Sequence, residues 1–132
     1  MAGPAGVSAT ARHHIANLLH TYVEIADRKD VDAVVDLLGA ARVVFPAARS
    51  ADPGGARELF GRLWTDPAPH RHDVSNLIVE PAGDGLWSAR AHYTRWVLRP
   101  DPELHTLGEY ALLAAEDGWR VRSLTVTRTW TR

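Results

Sequence analysis

From Thr10 onward, apolar residues recur at Ile15, Leu18, Leu19, Tyr22, Val23 and Ala26, the i, i+3, i+4, i+7 rhythm of a helix with one buried stripe. Asp30 stands as an N-cap before "VDAVVDLLGA", a second helix with Gly39 near its end. "RVVFPA" reads as a short strand that Pro46 closes or bulges, "RSADPGGAR" as a loop and "ARELFGRLW" as a third, short helix. From His70 the period drops to near two. Strands are predicted over residues 70–81, 86–99, 104–115 and 119–130, separated by "AGDG", "RPDPE" and "EDG", each with Gly, Pro or Asp placed for a turn. Short connections between four long strands make an antiparallel meander. The expected class is α+β: a curved antiparallel sheet coiled into a cone-shaped α+β barrel and closed by three N-terminal helices. Residues 1–9 are expected to form a disordered tail and residues 10–132 a single domain.

Several polar residues break this pattern. In "HRHDVSNLIVEP" His70, His72, Val74, Asn76 and Ile78 share one parity and so one face of an extended strand. Either His72 and Asn76 are satisfied core groups, or that face lines a cavity. Tyr22 falls on the apolar stripe of the first helix, as a core tyrosine or a cavity hydroxyl. Asp27 sits in the last turn of that helix, where an acid opposes the macrodipole; it is a solvated acid paired with Arg28 or Lys29, or it has a task elsewhere.

Further along, "SARAHYTRW" groups His92 with Thr94 and Trp96 and opposes them to Ala89, Ala91 and Tyr93, without showing which face is inside. Gly108 and Tyr110 share a face, and glycine there lets another group approach closely. Arg128 shares parity with Leu124, Val126 and Trp130, so its guanidinium needs a carboxylate or a substrate oxygen. His70 and His72 also form a His-x-His pair with metal-ligand geometry, for which His92, His105 or Asp27 is available as a third donor. No second ligand pair, phosphate-binding loop, dinucleotide fingerprint or serine-nucleophile motif accompanies it, and no metal or other cofactor is expected.

Composition narrows the functions open to the chain. A formal net charge of −1 gives no global field for nucleic acid or an anionic membrane. With no cysteine there is no disulfide, thiolate nucleophile or Cys-ligated zinc, and nothing argues for an oxidising compartment. No apolar run approaches the roughly 18 residues of a membrane span, and the first residues lack the pattern of a signal peptide, so a cytoplasmic location is expected. Basic residues are nearly all arginine, with Lys29 the only lysine, and alanine is abundant, a usage that fits a GC-rich bacterial genome.

The order of elements and four segments resemble the SnoaL-like, NTF2-like superfamily over roughly residues 10 to 130. The segments are "LLHTYVEIADRKDVDAVVDLL", "HRHDVSN", "LGEYALL" and "DGWRVRSLTV". This resemblance implies a cystatin-like cone with a pocket, usually in a dimer. It maps Tyr22, Asp27 and His72 onto the residues that line the pocket in the dehydratase branch. Asn76 matches the asparagine of the same strand, and His92 lies on the strand that often supplies another polar group. With Tyr110 and Arg128 these complete the expected substrate-binding set. The chain departs from the family in a short segment before the third helix and in His92 standing where some relatives carry an acid. The function expected is cofactor-independent acid–base catalysis, as a dehydratase, cyclase or isomerase acting on a polyketide, terpenoid or steroid-like small molecule of bacterial secondary metabolism. The alternatives are a non-catalytic binder with the same pocket, or a dimerising interaction module with a vestigial one. A small-molecule substrate and a second copy of the chain are the partners expected, the copies meeting through the outer sheet face; nucleic acid and membrane are not.

Overall fold

The computed structural model describes residues 4–132. Its elements follow the order α1 (Pro4–Arg28), α2 (Val31–Leu38), β1 (Arg42–Phe45), β2 (Ala48–Ser50), α3 (Pro53–Leu63), β3 (His70–Gly83), β4 (Leu86–Val97), β5 (Glu103–Ala115), a 3-10 turn (Asp117–Trp119) and β6 (Arg120–Thr131). The four long strands and three helices match the α+β expectation closely. Of the tail expected over residues 1–9, residues 1–3 lie outside the described residues, and from Pro4 the chain is already helical. Asp30 caps α2 as expected, its side chain accepting from the Ala33 N–H. Helix α3 starts earlier than "ARELFGRLW" suggests. Asp52 accepts from the Gly55 N–H as N-cap and Pro53 takes the first helical position, so the Gly-Gly pair lies within the helix.

The sheet runs in the order β2-β1-β6-β5-β4-β3. It differs from the expected antiparallel barrel in two ways. It is mixed, because β1 pairs parallel with β6 while all other pairs are antiparallel, and it is open, with β2 and β3 as edges. The three-residue β2, hidden in the predicted loop, is the antiparallel partner of β1. Helix α1 lies across the sheet's inner face. Ile15 and Leu19 are fully buried there, facing a core that includes Trp87, Ala89 and Ala91 of β4 and Leu124 of β6. Burial of this kind stabilises by about 1.5–3 kcal/mol for each large aliphatic side chain.

Two bulges set which side chains face inward. In β3 the pairing with β4 jumps between Ser75 and Ile78, and Asn76 takes a left-handed φ of 57°. Asparagine is among the few side chains that tolerate this region, and a bulge reverses the alternation. Before it, His70, His72 and Val74 face inward. After it, Leu77 and Val79 pack on the core while Ile78 is exposed. Arg12 Nη1 of α1 donates to the Leu77 carbonyl at 2.7 Å, which ties the helix to the bulge. In β6 the register jumps between Arg128, opposite Gly108, and Trp130, opposite Leu107. Arg128 and Trp130 therefore lie on opposite faces, not together as the simple parity suggests.

Candidate active site

The inner face of the sheet carries a cavity of about 660 Å³, within the range of small-molecule sites. Its lining comes from α1, β1, β3, β4, β5 and β6, from Leu63 at the end of α3, and from Trp64 and Asp66 of the segment that follows.

The end of α1 places the key acid. Lys29 is left-handed at φ 55°, the Asp30 N–H bonds to the Ile25 carbonyl at 3.2 Å and the Lys29 N–H to the Ala26 carbonyl at 3.1 Å, which together form a Schellman motif. A lysine occupies the position that glycine usually takes. Its Nζ donates to the Ala68 carbonyl at 2.6 Å and so pins the helix end to the segment leading into β3. Asp27, in the last helical turn, is thereby brought against the start of β3. Its carboxylate accepts from the His72 backbone N–H at 3.0 and 3.3 Å and meets His72 Nδ1 at 2.7 Å. These bonds offset the unfavourable interaction of an acid with the helix C-terminus. They also fix the imidazole: a proton on Nδ1 is donated to Asp27, and Nε2 is left as the basic atom. Both side chains are largely withdrawn from solvent, and His72 lines the cavity.

Three tyrosines stand around this pair. The Tyr22 ring meets Tyr110 edge-on at 5.7 Å, and Tyr110 stacks on Tyr93 at 4.4 Å and 14°. Tyr93 lies over Gly108, where a Cβ would come within 2.4 Å of its ring and of the Thr127 carbonyl. The close approach that Gly108 permits is thus that of Tyr93. Burial raises the pKa of all three phenols, with coulombic effects of the neighbouring tyrosines adding to it for Tyr22 and Tyr110; for Tyr93, Arg128 and Arg95 pull the other way. They remain protonated donors at neutral pH. Among the described residues none of their hydroxyls has a hydrogen-bond partner within the protein.

His70, only 7% exposed, stands edge-on to His72 at 5.3 Å and keeps a buried Nδ1 without a partner. Burial, then the charges of Arg95, His72 and Lys29, lower its pKa to about 4 against the pull of Asp27. Asp27, His70 and His72 bring one donor atom each within 4.8 Å of one another, a set with metal-binding potential. Of the third ligands considered from sequence, Asp27 is the one that joins the histidines. The cations Arg95 and Lys29 close to His70 oppose a divalent ion there.

The expected site residues separate into two groups. Tyr22, His72, Tyr110 and Arg128 line the cavity, and Asp27 stands behind His72. Asn76 and His92 do not belong to it. Asn76 is an exposed bulge residue whose role is its backbone conformation. His92 lies on the outer sheet face, 3.7 Å from Glu109, with both side chains more than half exposed. The inner parity of β4 is instead that of Trp87, Ala89, Ala91 and Tyr93, and it continues to Arg95 on the cavity wall. Arg95 was legible by that alternation once the buried Trp87 is taken as the guide. His105 was not, because the register shift opposite Arg95 and Trp96 turns it toward the cavity.

A sheet covered by helices with a hollow on its inner face is the fold of NTF2-like structures. A solved structure of an NTF2-like protein with a cystatin-like fold from Novosphingobium aromaticivorans matches with a TM-score of 0.75 at 17% identity, over 98% of this chain and 92% of that one. A candidate scytalone dehydratase from the same organism gives 0.78 at 14% identity, over 94% and 87%. ActVI-ORFA from Streptomyces coelicolor gives 0.73 at 16%, over 89% and 96%. At these identities the likeness is one of fold. The sequence matches the SnoaL-like domain over residues 7–125, and the chain belongs to that family. Among curated proteins no match to the sequence is found. No helix among the described residues is long and apolar enough to cross a membrane.

Proposed function

We propose that this protein is a cofactor-independent acid–base enzyme of the dehydratase, cyclase or isomerase type. The observation that carries the reading is the 2.7 Å bond between Asp27 and His72 Nδ1 on the wall of a cavity. His72 Nε2 removes a proton next to a substrate carbonyl, and the Asp27 carboxylate stabilises the imidazolium that forms. Tyr22 or Tyr110 donates a hydrogen bond to the carbonyl oxygen as negative charge develops there. The same imidazolium then returns its proton to a leaving hydroxyl or to a different carbon, completing dehydration or double-bond migration; ring closure follows if the enolate attacks a second carbonyl.

The aromatic walls suit a polyketide, terpenoid or steroid-like skeleton of bacterial secondary metabolism; the arginine- and alanine-rich composition bears only on a GC-rich bacterial source. The absence of cysteine fits a cytoplasmic setting. A homodimer through the outer sheet face belongs to the reading. The outer tryptophan of β4 is Trp96, since Trp87 is core, and Leu107 with Trp130 adds exposed apolar surface beside it. Tyr22 shares the cavity but makes no hydrogen bond to Asp27 or His72, so its role is toward substrate.

The test is proton exchange. Cyclic ketones and β-hydroxyketones of polyketide type are incubated in D2O and followed by proton NMR. The wild type incorporates deuterium next to the carbonyl, and His72→Ala does so far more slowly while remaining folded. Equal exchange in both proteins refutes the base assignment. No metal is required. Loss of turnover with a strong chelator and its return with zinc would move the reading to the Asp27–His70–His72 metal set.

A further inference from the structure

The rim of the cavity carries more positive charge than the protein itself uses. Arg95 on β4 and Arg128 on β6 flank β5 and both line the cavity. Arg95 Nη1 donates to His105 Nδ1 at 3.1 Å, and the Thr106 hydroxyl oxygen lies 2.8 Å from the same ring nitrogen. Among the described residues no carboxylate reaches ion-pair distance of Arg95 or Arg128, whereas Arg132 beside them is taken by Glu103. Asp66 is the one acid on the cavity wall; it acts on Arg95 from a distance, and its carboxylate accepts from the Ala68 N–H at 2.9 Å. His70 and His105 add no charge at neutral pH, since burial and these same cations lower both pKa values. Asp27 also acts on Arg95 only from further away, since its carboxylate is engaged by His72, so among the described residues both guanidiniums lack a carboxylate in contact.

A half-buried guanidinium that its own protein does not pair is a site for an oxyanion, held in a planar fork. The cavity of about 660 Å³ has room for a ring skeleton beside that anion, with Tyr93 between the arginines and His72. We propose that the cavity selects an organic monoanion, a ring compound bearing a carboxylate held by Arg95 and Arg128 while its opposite end lies at His72. This rests on the cavity being the active site, and it narrows the substrate class to acids. Neutral esters and amides of the same skeleton are discriminated against.

The test is calorimetric binding of 2-naphthoate and its uncharged isostere 2-naphthamide to the full chain. The expected result is at least a tenfold preference for the acid. That preference weakens with salt, falls severalfold or more in Arg128→Gln and in Arg95→Gln, and leaves the amide's affinity unchanged. Arg128 is on the exposed rim, so its variant keeps the test valid if Arg95→Gln does not fold. Equal affinity for the two probes, no binding of either at millimolar concentration, or an acid preference indifferent to both substitutions overturns the proposal. The same titration with His72→Ala separates it from the catalytic reading. Acid preference retained in a chain that catalyses no exchange leaves the anion site standing alone, and turnover of a neutral substrate without acid preference leaves the base standing alone.

Discussion

His72 and His92 sit on neighbouring strands of one sheet, and each faces an acid. On the inner face, His72 and Asp27 are 2.7 Å apart with side chains 11% and 27% exposed. On the outer face, His92 and Glu109 are 3.7 Å apart with side chains 56% and 55% exposed. The inner acid is held in place by a helix end, a lysine clamp and the backbone N–H of the histidine it orients. The outer one is a cross-strand neighbour, paired in register and surrounded by water. Residue types are nearly the same; burial and positioning separate a candidate base from a surface pair worth about 0–1 kcal/mol.

From that contrast the largest effect belongs to His72→Ala, which should cost about 10²–10⁴-fold in turnover, the usual contribution of a positioned proton-transfer group. Asp27→Asn should cost less and act through His72. The double variant is then little worse than His72→Ala alone, a non-additivity that steady-state kinetics on the four proteins would expose. Tyr22→Phe should lose less again, since the ring and its packing remain; a lower kcat with little change in Tm is the expected pattern.

The neighbouring His70 sharpens the contrast through pH. Its folded pKa of about 4 lies below the ordinary histidine value, so between those limits the unfolded chain binds a proton that the folded one does not. Stability contributed by neutral His70 therefore rises with pH across that window and is lost on acidification. Melting curves taken from about pH 7 to about pH 4.5 should show a shallower acid loss in His70→Gln than in the wild type. The smallest effect is reserved for the outer pair. His92→Ala should change turnover less than twofold and stability by no more than about 0.5 kcal/mol, as for other surface substitutions. A large catalytic loss there would dissolve the distinction between the two faces.

The same two histidines show how far the chain could be read beforehand. The meander was legible because period-two alternation and turn residues persist for some sixty positions, and α1 because its stripe is regular. Asp27 and His72 were legible as candidates through an acid at the wrong helix end and a polar group on an apolar face. Asn76 and His92 misled for definite reasons. Simple alternation carried Asn76 inward, but its left-handed φ makes the bulge at which the parity reverses. His92 was drawn in by the family resemblance, although Trp87, Ala89 and Tyr93 on the opposite parity are the buried set. The parallel pairing of β1 with β6 left no local signal, because strands so far apart in sequence meet only through tertiary packing.

Nitrogen-15 NMR of the two histidine rings measures directly, and without any substrate, whether Asp27 fixes the His72 ring. At a pH where both imidazoles are neutral, His72 should show a protonated Nδ1 and a bare Nε2, while His92 shows the averaged tautomers of a ring in water. A His72 ring protonated on Nε2, or averaged like His92, would contradict the assignment of His72 as the base.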